Sequence, residues 1–289
     1  SMVNAYAKGI LIPIGGNEDK GIEENEMYTL EFIENGILRH IVRLAGGENA
    51  NIVIVPTASS IPDEVIENYQ SAFEILGCTN IHVVDIRDRS HSEEPENVEK
   101  IKNADAVLFS GGDQSQITKK IGETTIHHLL LHKYMNENFV IAGTSAGAMC
   151  MSSRMITGGN TTESFRKGVV GMGEGMGFTP NLIIDSHFIQ RGRFGRLTEA
   201  VAKFPKLIGI GLAEDTGLII TNNNEFEVIG SGMVIIFDGR NLTHNNEEIL
   251  KEGDPMTLTN MVTHVLSNGD KFEISTRKIS VLPIGAPLI

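Results

Sequence analysis

The stretch from Phe139 to Cys150 reads Phe-Val-Ile-Ala-Gly-Thr-Ser-Ala-Gly-Ala-Met-Cys, an apolar run closing on Gly-Thr-Ser-Ala-Gly. One hydroxyl at the tip of a sharp strand-to-helix turn is the pattern of an activated serine nucleophile. Gly143 and Gly147 leave no Cβ where strand and helix must approach closely. Ser145 then stands exposed, and the N–H of Ala146 at the helix start points toward an oxyanion developing on an acyl group. A serine hydroxyl needs a base, and the base needs a third group to fix its tautomer. His187 follows the apolar run Leu182-Ile183-Ile184 and is flanked by charge, while Glu214 follows the apolar run from Leu207 to Leu212. Asp185, just before His187, competes with Glu214 for the orienting role. His82, His127, His128 and His132 lie in ordinary strand or helix contexts and read as surface or satisfied core. Arg191, Arg193 and Arg196 gather just beyond His187. Cations are disfavoured at a helix start, so their clustering there points to carboxylate recognition by planar guanidinium forks.

These side chains need a scaffold that brings distant segments to one edge. Short apolar runs at 9–14, 51–55, 81–86, 104–109 and 139–144 alternate with amphipathic stretches, the pattern of a mostly parallel, doubly wound α/β sheet with helices on both faces. In such sheets ligands bind beyond the carboxyl ends of the strands. Gly15-Gly16, Gly111-Gly112 and Ser145 all fall at those ends. Helical spacing is expected over about 25–45, interrupted at Asn35-Gly36 and ended by Gly46-Gly47, and again over 62–76 and 116–136. Residues 155–178, rich in Gly, Thr and Met, read as a long loop over the site. From Thr216 onward short strands separated by turn residues form an antiparallel extension of the sheet. With no proline-rich linker, residues 1–289 read as a single domain, of which 216–289 is the antiparallel part.

Composition narrows the partners. The 289 residues are 40% hydrophobic, with a formal net charge of -13, which argues against nucleic acid and allows attraction of a cationic substrate. Cys78 and Cys150 make no disulfide framework, and Cys150 reads as a small buried apolar residue. The glycine pairs lack the lysine and hydroxyl of a nucleotide loop, and no metal-ligating cluster is evident, so no cofactor or metal is expected. No apolar run approaches the roughly 20 residues of a membrane span, and the first residues lack a secretory leader pattern, so no membrane association and a cytoplasmic location are expected.

Four motifs resemble one known group in order and spacing: Gly143 to Ala148, the Ser-Gly-Gly-Asp-Gln of 110–114, Asp185 to Arg196, and Gly209-Ile210-Gly211-Leu212-Ala213-Glu214. They are similar to the cyanophycinases, within the serine peptidase family that also holds peptidase E, and the resemblance runs from the first strand to about residue 240. It implies a fold like that of class I glutamine amidotransferases, a homodimer, and hydrolysis of cyanophycin to β-Asp-Arg dipeptides. Cyanophycin is a poly-aspartate bearing arginine on its side-chain carboxylates. On matching positions the resemblance implies Ser145 as nucleophile, His187 as general base and Glu214 as its orienter. It also implies the N–H groups of Gly112 and Ala146 as oxyanion hole, and Gln114, Asp185, Ser186, Arg191, Arg193 and Arg196 as substrate-binding positions. Ser186 stands where many members carry Gln, and Ala213 where they often carry Asp. Two other functions fit the same residues: an aspartyl dipeptidase like peptidase E, and a binding protein whose serine is not activated. An intact path Ser145–His187–Glu214 speaks against the latter.

Overall fold

The computed structural model describes residues 6–16, 36–159 and 165–289. Five strands run parallel: β1 (Ile10–Ile14), β2 (Ile52–Val55), β3 (Ile81–Val83), β4 (Ala106–Phe109) and β5 (Val140–Thr144). They are linked through helices α1 (Ile37–Ala45), α2 (Pro62–Ile75), α3 (Pro95–Lys102), α4 (Gln114–Ile121) and α5 (Thr125–Asn136), and the short α6 (Ala146–Met149) follows β5. The amino-terminal part of the helix expected over 25–45, with its break at Asn35, lies outside the described residues; Gly46 and Gly47 do end α1.

The strands read as unbroken apolar runs because both faces of the sheet are covered. Alternate side chains of one strand enter different cores. Val53 and Val55 of β2 join one cluster with Ile117 of α4 and Leu130 of α5. Ile52 and Ile54 join another, with Ile41 of α1 and Phe73 of α2.

Further along come β6 (Arg154–Gly159), β7 (Val170–Glu174), β8 (Leu182–Asp185), α7 (Phe194–Lys203), β9 (Ile208–Leu212), β10 (Thr216–Thr221), β11 (Glu225–Gly230) and β12 (Met233–Asp238). The last strands are β13 (His244–Asn245), β14 (Leu258–Thr259), β15 (Val262–Ser267), β16 (Lys271–Glu273) and β17 (Ile279–Ser280). The main sheet has nine strands in the order β17-β16-β11-β10-β1-β5-β4-β2-β3. It is parallel from β1 to β3 and antiparallel from β1 to β17. Of the antiparallel extension expected from Thr216 onward, β10, β11, β16 and β17 join the main sheet, whereas β12 and β15 enter a second sheet and β13 pairs only with β14.

Two parts differ from the reading of the sequence. First, β8 and β9 do not enter the main sheet; with β12 and β15 they build a second, four-stranded sheet. Ile184 and Ile210 pack toward the main sheet's core, while Ile183 packs on α7 through Leu197 and Val201. A strand buried on both faces looks the same in sequence whichever sheet it joins. Second, the expected loop over 155–178 contains an antiparallel hairpin, β6 with β7, bulged between Ile156 and Gly158. Gly171 and Gly173 lie against the Thr157 side chain from the facing strand, so small residues break the alternation that would mark strands.

The elbow depends on backbone contact at Gly147, where a Cβ would fall 2.3 Å from the Phe109 carbonyl oxygen. Gly147→Val is expected to cost about 1–3 kcal/mol or more by overpacking, read as a lowered urea midpoint, with loss of whatever chemistry Ser145 performs.

Candidate active site

Ser145 follows the last residue of β5 with φ 55° and ψ -112°, a backbone conformation disfavoured for a residue with a Cβ. The turn holds it there. Its N–H donates to the Ile14 carbonyl at 2.9 Å, and its own carbonyl accepts from the N–H groups of Ala148 and Met149 at 3.0 and 3.1 Å. The result is an Oγ that lines a cleft of about 350 Å³, large enough for a small peptide.

His187 comes from the segment after β8 and Glu214 from the turn after β9, so the second sheet delivers both. His187 Nε2 lies 3.0 Å from Ser145 Oγ, and Nδ1 lies 2.8 Å from Glu214 Oε1. A carboxylate can only accept, so in the neutral ring Nδ1 holds the proton and Nε2 offers its lone pair to the serine hydroxyl. The imidazole is nearly buried and Glu214 partly exposed. Gly16 makes room for the ring: a Cβ there would sit 2.3 Å from His187 Cε1.

Three successive carbonyls at the end of β1 tie these parts together. Ile14 accepts from Ser145 at 2.9 Å, Gly15 from His187 at 2.8 Å, and Gly16 from Asp215, the neighbour of Glu214, at 2.9 Å. Nothing in the sequence of 14–16 marks this junction beyond two glycines at a strand end.

The cleft is lined by Gly16, Ser110, Gly111, Gly112, Thr144, Ser145, His187 and Arg191, and by Val65, Asn68 and Tyr69 of α2. The α2 residues escaped the reading of the sequence. Their signal was the i, i+3, i+4 spacing on a helix that follows a parallel strand, but that spacing also describes an ordinary core face. Of the positions expected to bind substrate, Arg191 lines the cleft, exposed, and the others do not. Gln114 instead donates from Nε2 to the Ile156 carbonyl at 2.8 Å, tying α4 to the hairpin. Asp185 is fully buried and takes a two-pronged fork from Arg196, Nε to Oδ2 at 2.7 Å and Nη2 to Oδ1 at 2.6 Å. Asp185 is thus removed as a rival to Glu214. Arg193 reaches Asp185 Oδ1 at 3.4 Å and the Ser186 carbonyl at 2.9 Å. Ser186 is fully buried, its Oγ 3.3 Å from Met149 Sδ. Asp185, Ser186 and Arg196 are therefore corrected from substrate contacts to interior groups. The resemblance implied a ligand for them, but each is satisfied within the chain.

Cys150 is buried as expected, and burial pushes its thiol up to about 12, which keeps it out of nucleophilic chemistry. No helix among the described residues is long and apolar enough to cross a membrane.

An α/β fold with a serine on a strained elbow, hydrogen-bonded to a histidine that is itself bonded to a carboxylate, defines the serine hydrolase class. The comparisons make this specific. The model of peptidase family S51 matches residues 31–229. A cyanophycinase of Geminocystis herdmanii is 33% identical over 273 residues, covering 94% of this chain and 96% of that protein. A cyanophycinase of a Nostoc species is 35% identical over 276 residues, covering 96% and 88%. The crystal structure of a peptidase from an acI-B1 Actinobacterium shares the fold, with a TM-score of 0.61 over 90% of this chain and 99% of that one at 21% identity. The chain belongs to peptidase family S51 and is a serine-type peptidase.

Because Gly16 borders the His187 ring, Gly16→Ala is expected to displace the imidazole and lower peptidase kcat by about 10²-fold, the usual result of a misplacement near 1 Å. Steady-state kinetics beside an unchanged circular dichroism spectrum checks this.

Proposed function

We propose that this peptidase hydrolyses cyanophycin to β-Asp-Arg dipeptides, with Ser145 as nucleophile, His187 as general base and Glu214 as the group that orients it. The observation that carries the reading is the continuous path Ser145 Oγ–His187 Nε2 and His187 Nδ1–Glu214 Oε1, at 3.0 and 2.8 Å. It is supported by the cyanophycinases that match nearly the whole chain.

In this mechanism His187 Nε2 takes the hydroxyl proton as Ser145 Oγ attacks the scissile carbonyl, and Glu214 stabilises the imidazolium that forms. The carbonyl oxygen becomes an oxyanion, and in this reading its N–H donors come from Gly112, which lines the cleft, and Ala146, the first residue of α6. A helix start leaves such N–H groups without intrahelical partners. The imidazolium returns the proton to the leaving nitrogen, the C–N bond breaks, and an acyl-enzyme remains. Water then attacks the ester with His187 again as base, releasing product and restoring Ser145. The chain supplies nucleophile, base and oxyanion donors itself, so the reaction proceeds without a cofactor.

Arg191 supplies a cation on the cleft wall for an aspartyl carboxylate. The protein acts as a homodimer in the cytoplasm; sedimentation equilibrium at micromolar concentration checks the stoichiometry.

The test is incubation of purified cyanophycin with wild type and with Ser145→Ala, His187→Ala and Glu214→Gln, products identified by mass spectrometry. Wild type is expected to release β-Asp-Arg. Ser145→Ala and His187→Ala are expected to fall by more than about 10³-fold, and Glu214→Gln to retain a small residue of activity. Polymer left intact by wild type while short aspartyl peptides are cleaved would move the substrate to the peptidase E type. Near-wild-type hydrolysis by Ser145→Ala would overturn the nucleophile.

A further inference from the structure

His187 has a φ of 47°, in the left-handed region that a non-glycine residue seldom occupies. A conformation of this kind persists where its surroundings over-determine it. Here five consecutive backbone polar groups are all bonded. The Ser186 N–H donates to Asp185 Oδ1 at 2.8 Å, and the Ser186 carbonyl accepts from Arg193 Nη1 at 2.9 Å. The His187 N–H donates to the Gly15 carbonyl at 2.8 Å, and the His187 carbonyl accepts from the Arg191 N–H at 3.0 Å. The Phe188 N–H donates to the Leu212 carbonyl at 3.0 Å. Three of these bonds are main chain to main chain. The two that hold the backbone N–H and carbonyl of Ser186, the residue before His187, come from charged side chains.

Those side chains form one cluster. The Asp185 carboxylate is fully buried, and a buried charge is tolerable only when paired and hydrogen-bonded. Arg196 meets that need with both prongs, at 2.7 and 2.6 Å, and is itself only 5% exposed. Arg193 joins Asp185 Oδ1 at 3.4 Å and continues to the Ser186 carbonyl. Neither arginine lines the cleft.

We propose that Arg196 and Arg193, acting through the Asp185 carboxylate and the Ser186 backbone, are positioning residues that fix the place of the His187 ring. Arg196 sets the carboxylate, the carboxylate and Arg193 hold the N–H and the carbonyl of Ser186, and the backbone so fixed leads into the torsions from which the imidazole projects. The inference rests on the reading of His187 as the base of Ser145. It assigns the cluster to the reacting groups and leaves recognition of charged substrate to other residues, Arg191 among them.

A probe with neither carboxylate nor guanidinium separates positioning from substrate contact. A small alkyl fluorophosphonate serves: Ser145 Oγ forms a bond to phosphorus, fluoride leaves with its electron pair, and the hydroxyl proton passes to His187. Labelling rates of the full-length protein are compared for wild type, His187→Ala, Arg196→Lys and Arg193→Gln, well below each melting midpoint, beside kcat and KM on cyanophycin. The expected result is labelling at least about tenfold slower in both arginine variants, with a matching fall in kcat and KM within about twofold, as for a small misplacement of a catalytic group. Wild-type labelling with a raised KM would make the arginines substrate contacts and overturn the inference. Wild-type labelling with only a lowered melting temperature would make them structural and overturn it equally. If Arg196→Lys does not fold, Arg193→Gln, at a side chain 13% exposed, carries the test alone. Unchanged labelling in His187→Ala would show that the base assignment itself had failed, and the inference with it.

Discussion

Three backbone carbonyls at the end of one strand carry the geometry of this site. Ile14, Gly15 and Gly16 accept, in order, from the amides of Ser145, His187 and Asp215. Strand β1 can do this because it lies at the seam of the nine-stranded sheet, parallel to β5 on one side and antiparallel to β10 on the other. The parallel side brings the serine elbow to the carboxyl edge. The antiparallel side brings the turn that holds Glu214, through the bond from the Gly15 N–H to the Thr216 carbonyl at 2.8 Å. The second sheet supplies the remaining segment, and its approach is close enough that residue 16 has no room for a side chain.

That arrangement divides labour between two layers. The main sheet presents Ser145 together with Gly112 and Ala146; the four-stranded sheet presents His187, and Glu214 stands in the turn that joins the two sheets between β9 and β10. The hydrogen bonds at 3.0 and 2.8 Å meet on the nearly buried imidazole of His187, where they are stronger than in water. The apolar cluster shared by Leu11, Ile141, Ile184 and Leu212 keeps the layers in register. Neither sheet alone holds Ser145, His187 and Glu214 together.

Much of this was legible in the residues. The apolar runs located all five parallel strands, because burial on both faces leaves an unmistakable pattern. Ser145, His187 and Glu214 were recoverable because each stands directly after such a run. Membership of β8 and β9 in a second sheet was not legible, since Ile183 and Ile184 face different cores and neither core is encoded locally. The hairpin of β6 and β7 was hidden by glycines that fit around Thr157. Asp185 and Arg196 misled for a different reason. Opposite charges eleven residues apart look alike whether they meet a ligand or each other, and here they meet each other at 2.6 Å.

The carbonyls of 14–16 serve segments that lie far along the chain from them. Ser145 and His187 are separated by 42 residues, and His187 and Glu214 by 27. Every one of these contacts is non-local, and non-local contacts are the slowest to form because loop closure must precede them. During synthesis the ends of β1 and β5 can meet early, but the junction stays open until the chain has passed Thr216. A truncated or half-folded chain therefore has an elbow without His187 beside it. On the proposed mechanism hydrolytic competence arrives only with completion of the fold, so a folding intermediate of this peptidase is chemically silent.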